Sequence, residues 1–241
     1  MRLLRLMNRI TPPVLWDLAK RLAPCGGGDV PEPFVHESVG SYSQYGEDLV
    51  IDVLLGCQAK GVYVDVGAND PVTLSNTLRF SKRGWRGINI EPDTALWSEL
   101  ESQRRDDINL NIGVAPEAGF LTFYKMDPPT LSTFDKGAAE DNLAHPGARI
   151  VSETQVVVAP LRQVLDEHLR GRPVDFLSVD AEGLDLAVLQ SNDWHVHRPR
   201  LVMVEIGWRG REIVKYLEEQ RYTFVWSNAV NGIFVDTDLV Q

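Results

Sequence analysis

The feature that most constrains the fold is a recurrence of short apolar, β-branched runs separated by stretches of helical periodicity. GVYVDVG (61–67), RGINIEP (86–92), INLNIGVA (108–115), VDFLSVDAEG (174–183), RLVMVEIG (200–207), YTFVWS (222–227) and GIFVD (232–236) read as strands. Between them LWSELESQ, LRQVLDEHLR, LDLAVLQ and REIVKYLEEQ read as crossover helices. Strands alternating with helices predict βαβ units, hence an α/β fold with a mainly parallel, doubly wound sheet. The last two strands stand too close in sequence for a crossover, which predicts an antiparallel C-terminal hairpin.

The chain has 241 residues and 44% hydrophobic content, enough for one substantial core. The reading divides it into a basic N-terminal helix and Gly/Pro linker over 1–39 and a single catalytic-sized domain over 40–241. The linker is PCGGGDVPEPF (24–34). SYSQYGEDLVIDVLL then opens the domain as a helix, with Ser43 as its expected N-cap and Glu47 and Asp48 in its early turns. A formal charge of −10 argues against a nucleic-acid partner, because phosphate binding needs a concentrated basic face. Cys25 and Cys57 lack CxxC spacing, so neither a zinc knuckle nor a redox pair is expected, and a reducing cytoplasmic location is the default.

Residues 1–21 invert the charge of the whole, with Arg2, Arg5, Arg9, Lys20 and Arg21 against Asp17 alone. Arginines interrupt the apolar positions, unlike a signal-peptide core, and no run is long enough to span a bilayer. Two roles stand for this segment. Its apolar spacing suits packing on the domain or on a second subunit, and its basic face suits peripheral contact with an anionic membrane, at the inner face in a cytoplasmic protein.

In a doubly wound sheet, ligands bind beyond the carboxyl ends of the strands. Acids fall at four of those ends: Asp65 on the first strand, Glu91 on the second, Asp180 and Glu182 on the fourth and Glu205 on the fifth. The turn DVGAND supplies only Gly67 where a dinucleotide fingerprint has three glycines, so it suits a pyrophosphate poorly. A strand-end carboxylate beside one glycine suits a ligand with a cationic end. Glu91, 24 residues after Gly67, stands where an acid accepts hydrogen bonds from both ribose hydroxyls. S-adenosylmethionine, with an adenosine, a sulfonium and an amino-acid tail, matches this set better than a dinucleotide does.

SQYGED (43–48), VYVDVGAND (62–70), RGWRGINIEP (83–92), LSTF (131–134) and DFLSVDAEG (175–183) resemble, in order, the recurring segments of the FkbM methyltransferase family. The resemblance spans about residues 40–236 and leaves the basic segment and linker outside it. It implies a Rossmann-like class I methyltransferase fold and S-adenosylmethionine-dependent O-methylation, frequently of a sugar hydroxyl in a glycan or glycosylated product. Residue by residue it places Asp65, Gly67 and Asn69 at the methionine-side turn and Glu91 at the ribose. Asp180 and Glu182 become the DxEG acids near the transfer point, and Gln44, Glu47 and Asp48 become candidates for the cavity wall.

Methyl transfer to a hydroxyl asks the protein to align acceptor and methyl and to draw off the hydroxyl proton. Asp180 or Glu182 can serve as the base. Alternatively Asp180 and Glu205 hold a divalent cation, magnesium by its preference for hard oxygen ligands, that acidifies the hydroxyl. Each acid also has a structural reading: Glu182 favours the N-terminus of LDLAVLQ through its dipole, and Glu205 pairs with Arg209 or Arg211. Residues 125–150 read as a long loop, a lid or acceptor wall, with Ser132, Thr133 and His145 as candidate substrate contacts. His195 and His197 form an HxH pair without a third ligand and read as loop residues.

Two rivals share parts of this pattern. A nucleotide-sugar dehydrogenase or epimerase requires a glycine-rich turn and a YxxxK pair, and no tyrosine here has lysine four residues on. A scaffold of a glycan-assembly complex requires only the fold and the basic segment.

Overall fold

The computed structural model describes residues 40–207, 210–228 and 230–239; the basic helix and linker expected over 1–39 lie outside them. The described chain begins with helix α1 (Glu47–Leu54), then β1 (Val62–Val66), α2 (Leu78–Lys82), β2 (Arg86–Ile90), α3 (Thr94–Gln103) and β3 (Ile108–Leu110). After β4 (Gly113–Val114) and β5 (Gly119–Asp127) come α4 (Lys136–Asn142) and β6 (Arg149–Ala159). α5 (Leu161–Leu169), β7 (Phe176–Val179), α6 (Asp185–Gln190), β8 (Leu201–Glu205), α7 (Gly210–Glu219), β9 (Tyr222–Ser227) and β10 (Asn231–Asp236) complete the order.

The main sheet has seven strands in the order β3-β2-β1-β7-β8-β10-β9. Neighbours from β3 to β8 pair in parallel, and β10 inserts antiparallel between β8 and β9, as the short connection requires. Side-chain alternation explains why these strands read as nearly continuous apolar runs, since both faces are covered. Val64, Val66, Ile88, Ile90, Leu177, Val179, Val202 and Val204 pack on α5, α6 and α7. Tyr63, Phe176, Leu201, Met203, Ile233 and Val235 pack on the opposite layer with Ile51, Leu54, Phe80 and Trp85.

Three expectations are corrected. INLNIGVA is two strands: β3 joins the main sheet, while β4 leaves it and pairs with β6. Residues 125–150 are not one long loop, because β5 and β6 form an antiparallel pair in a second sheet ordered β4-β6-β5, with α4 between them. The β-branched run VSETQVVVA within β6 carried that signal. Ser43 does not cap α1, whose N-cap is Gly46 at φ 87°, with no side-chain hydrogen bond. The Ser43 hydroxyl instead donates to Asp48 at 2.9 Å and accepts from the Asp48 amide at 3.2 Å.

The chain leaves β1 toward β2 on one side and returns later to β7 on the other. The gap between the carboxyl ends of β1 and β7 is therefore the point where strand order reverses, and it is there that an open α/β sheet binds ligands.

Candidate active site

Backbone bonds set the two turns at this gap. The Gly67 and Ala68 amides donate to the Ile90 carbonyl at 3.0 and 3.1 Å, and the Asp180 amide donates to the Val66 carbonyl at 3.0 Å. Gly67 has φ 77°, and a Cβ there would lie 1.8 Å from the carbonyl oxygen of Asp180. Its single glycine thus serves a backbone-to-backbone crossing between the β1 and β7 turns. The DVGAND motif reads as a glycine set against the ligand, but its closest approach is to the protein itself.

A cavity of about 790 Å³ opens over these turns, within the range of small-molecule sites. Asp65, Gly67, Asn69, Glu91, Asp180, Glu182 and Glu205 all line it, together with Gln44 at one wall. Ser132, Thr133 and His145 line it from the segment between β5 and β6. Glu47 and Asp48 do not. The Glu47 carboxylate accepts from the side-chain amides of Asn228 (2.7 Å) and Asn231 (2.8 Å) and from the Tyr45 amide (2.8 Å). Asp48 accepts from Ser41, Ser43 and the Tyr42 amide. Both acids are fully buried locks on the segment that presents Gln44.

At the β2 end, the Glu91 oxygens accept the amides of Asn69 (2.8 Å) and Asp93 (2.7 Å). A carboxylate oxygen has more than one acceptor direction, so each retains capacity for a ribose hydroxyl. Burial pushes Glu91 up to about 7, against the pull of the two amides. Asn69, in the left-handed region at φ 51°, accepts the Asp70 amide through its own side chain. At the β1 end, burial raises Asp65, and the Thr77 hydroxyl donates to it at 2.8 Å.

At the β7 end the acids crowd. Burial is the first cause that raises Asp180, followed by Glu182, Glu205 and Asp185. Glu182 is raised by burial and then by Glu205 and Asp185, and Glu205 by burial and then by Asp185. Oxygens of Asp180, Asp185 and Glu205 lie within 4.8 Å of one another. Asp180 Oδ1 is buried with no hydrogen-bond partner. Asp185, which sequence reasoning missed, stands five residues after Asp180, and its carboxylate accepts the amides of Ala181 (2.8 Å) and Gly183 (3.2 Å).

The structural readings of the acids fare unevenly. Glu182 precedes α6 in a left-handed turn (φ 46°), and Asp185 is the acid in the helix's first turn. No ion pair joins Glu205 to Arg211 among the described residues, and Arg209 lies outside them. Thr133 is almost fully buried, and its hydroxyl donates to the Glu182 carbonyl at 2.8 Å. It ties the segment after β5 to the acidic turn. His197 meets Asp166 at 2.7 Å outside the cavity, and His195 is exposed.

Seven of the described cavity-lining residues are Asp or Glu, and none is Lys or Arg. Such a wall rejects anions and favours a ligand that carries positive charge. A sulfonium cofactor with a ribose suits this wall, with a diol acceptor in Glu91 and the Asp65 carboxylate at the β1 end.

The model of the methyltransferase FkbM domain matches residues 65–224, more than half of the chain. The chain belongs to the FkbM methyltransferase family. As an FkbM protein it is an S-adenosylmethionine-dependent methyltransferase, with the Rossmann-like sheet described above. No curated protein matches it. Among solved structures, a TehB-like SAM-dependent methyltransferase from Corynebacterium glutamicum aligns at TM-score 0.43 and 10% identity, covering 83% of this chain and 92% of that one. A methyltransferase from Geobacter sulfurreducens aligns at TM-score 0.41 and 13% identity, covering 98% and 95%. In this FkbM chain the family match includes every strand-end acid from Asp65 to Glu205.

Proposed function

We propose that this FkbM methyltransferase methylates an uncharged hydroxyl, of a sugar in a glycan or glycosylated product, with a carboxylate of the β7 turn as proton acceptor. The observation that carries the reading is the buried, unpartnered Oδ1 of Asp180 beside Glu182 and Glu205. When bound, S-adenosylmethionine supplies an electrophilic methyl on a sulfonium that is already a good leaving group. Glu91 would receive the ribose, and the β1 turn would receive the ammonium of the amino-acid end. With the cofactor in place, Asp180 or Glu182 would take the hydroxyl proton of the acceptor as its oxygen is methylated. A carboxylate held above its ordinary range is a stronger base than a free one, which suits a weakly acidic sugar hydroxyl. The absence of Lys and Arg among the described lining residues supports a neutral acceptor over a phosphorylated one.

A second reading has its own support. The three converging carboxylates of Asp180, Asp185 and Glu205 form a hard oxygen set suited to magnesium, which would lower the hydroxyl pKa in place of a base. Labelled S-adenosylmethionine incubated with neutral glycans and their phosphorylated counterparts, with EDTA or added magnesium, separates the readings. Transfer to a neutral hydroxyl that survives EDTA supports the carboxylate route; transfer only with magnesium supports the metal. Methyl found only on nitrogen, or only on phosphorylated acceptors, refutes the proposal. Peripheral membrane contact through residues 1–21 is a further part of the proposal, and liposome co-sedimentation unchanged by deleting 1–21 would overturn it.

A further inference from the structure

Residues 69–77 form a wall of the cavity, with Asn69, Asp70, Thr73, Leu74 and Ser75 on its lining and the apolar Val72 exposed. Its two ends are tied to the cofactor acids: the Asn69 amide to Glu91 and the Thr77 hydroxyl to Asp65. Its middle is held from behind by a side chain outside the cavity. Arg104, just past the end of α3 and 3% exposed, donates to the Pro71 carbonyl through Nε (3.1 Å) and Nη2 (2.7 Å). The same Nη2 donates to Ser75 Oγ at 2.9 Å, and Nη1 donates to Tyr63 Oη at 3.1 Å. Ser75 Oγ in turn accepts the Leu78 amide at 3.2 Å, which fixes the start of α2 and with it Thr77.

The guanidinium faces Asp107 at 3.9 Å, and both side chains are almost entirely buried. Tyr63 also donates to Asp107 at 2.5 Å. A buried ion pair of this kind is poor value as a stabiliser, since well-packed apolar residues replace such pairs at little or no loss. What an apolar side chain cannot do is direct a planar fork of donors at a loop carbonyl and a hydroxyl.

We infer that Arg104 is a positioning residue for S-adenosylmethionine: it holds the 69–77 wall through Pro71 and Ser75 so that Asp65 and Glu91 stand ready for the cofactor. This rests on the assignment of the cavity to that cofactor. Arg104 touches neither cofactor nor acceptor, so its loss weakens cofactor binding and leaves the transfer step at saturation nearly untouched.

The test compares the wild-type chain with Arg104→Lys, which keeps the charge and loses the fork, and Arg104→Gln, which keeps a donor and loses both the charge and the fork. Calorimetry gives the S-adenosylmethionine Kd, steady-state kinetics give KM and kcat, and thermal unfolding reports the fold. Each variant is expected to raise Kd and KM for the cofactor by about tenfold, the consequence of losing a hydrogen bond to a charged donor. The kcat should remain within about threefold. Should Arg104→Lys not fold, Arg104→Gln decides alone. Folded variants with wild-type Kd, or variants that lose kcat with Kd unchanged, overturn the inference. A wild-type chain that does not bind S-adenosylmethionine overturns the cofactor assignment, and this inference with it.

Discussion

Replacing Glu91 by Gln tests the reading of the β2 end through stability as well as binding. Burial raises Glu91 from an ordinary 4.5 to about 7, so the folded protein keeps a proton that the unfolded chain releases near pH 4.5. The stability linked to that proton is complete below about pH 4.5 and is lost as pH rises through about 7. At about 1.4 kcal/mol per pH unit, the loss is roughly 3 kcal/mol. Gln cannot ionise, so the variant lacks this slope. Its single amide oxygen satisfies only one of the two amides now bound by Glu91, at a cost of about 1–3 kcal/mol that does not vary with pH. Urea unfolding of both proteins without cofactor, at half-unit steps from pH 4.5 to 8.5, should therefore show the variant weaker in acid. It should gain about 3 kcal/mol on the wild type by pH 8. The same variant should bind S-adenosylmethionine about tenfold more weakly, having exchanged one of the two oxygens that face the ribose for an amide nitrogen. A stability difference that stays constant across pH would refute the buried, protonated Glu91; an unchanged cofactor Kd would refute its role at the ribose.

Three further outcomes follow from the same geometry. Asp180→Asn should lower kcat by roughly 10²-fold or more while the cofactor Kd changes little, and the wild-type rate should rise with pH through neutrality as the raised carboxylates ionise; a variant as active as the wild type removes Asp180 from catalysis. Gly67→Ala should cost about 3 kcal/mol or more, because a Cβ would lie 1.8 Å from the Asp180 carbonyl oxygen at φ 77°, and a near-neutral unfolding midpoint would contradict the crossing. Thr133→Val keeps the side-chain shape and removes the bonds to the Glu182 carbonyl and from the Asp135 amide, so it should destabilise by about 1–3 kcal/mol and raise the acceptor KM more than the cofactor KM in steady-state assays.

The main sheet was legible because its strands are buried on both faces and announce themselves as apolar runs, from Val62–Val66 to Leu201–Glu205. The strand-end acids were legible for the same reason: a carboxylate that closes an apolar run is conspicuous. The second sheet was missed although β6 carries a β-branched run, because β5 and β6 are mostly exposed and lack the continuous apolar character of the main-sheet strands. Glu47 and Asp48 misled because acids near a cavity look alike in sequence; only the packing shows that their oxygens are already filled by Asn228, Asn231, Ser41 and Ser43. In sequence Arg104 shows only its acid neighbour Asp107, three residues on, and nothing of its hold on the 69–77 wall. Its partners Pro71 and Ser75 lie about thirty residues away, and neither is a charged residue that would advertise an arginine.

The path of the chain through the small sheet has an evolutionary consequence. The segment bearing Ser132, Thr133 and His145 departs after Gly113–Val114 and returns at Val158 and Ala159, residues that pair with one another. Entry and exit therefore share a doorway, and the loop between them can lengthen, shrink or be traded for another cassette while the cofactor half of the domain keeps its register. Diversification of what such an enzyme methylates can then proceed by grafting at that doorway, and a chimera joined at 114 and 158 is the natural unit for redesign.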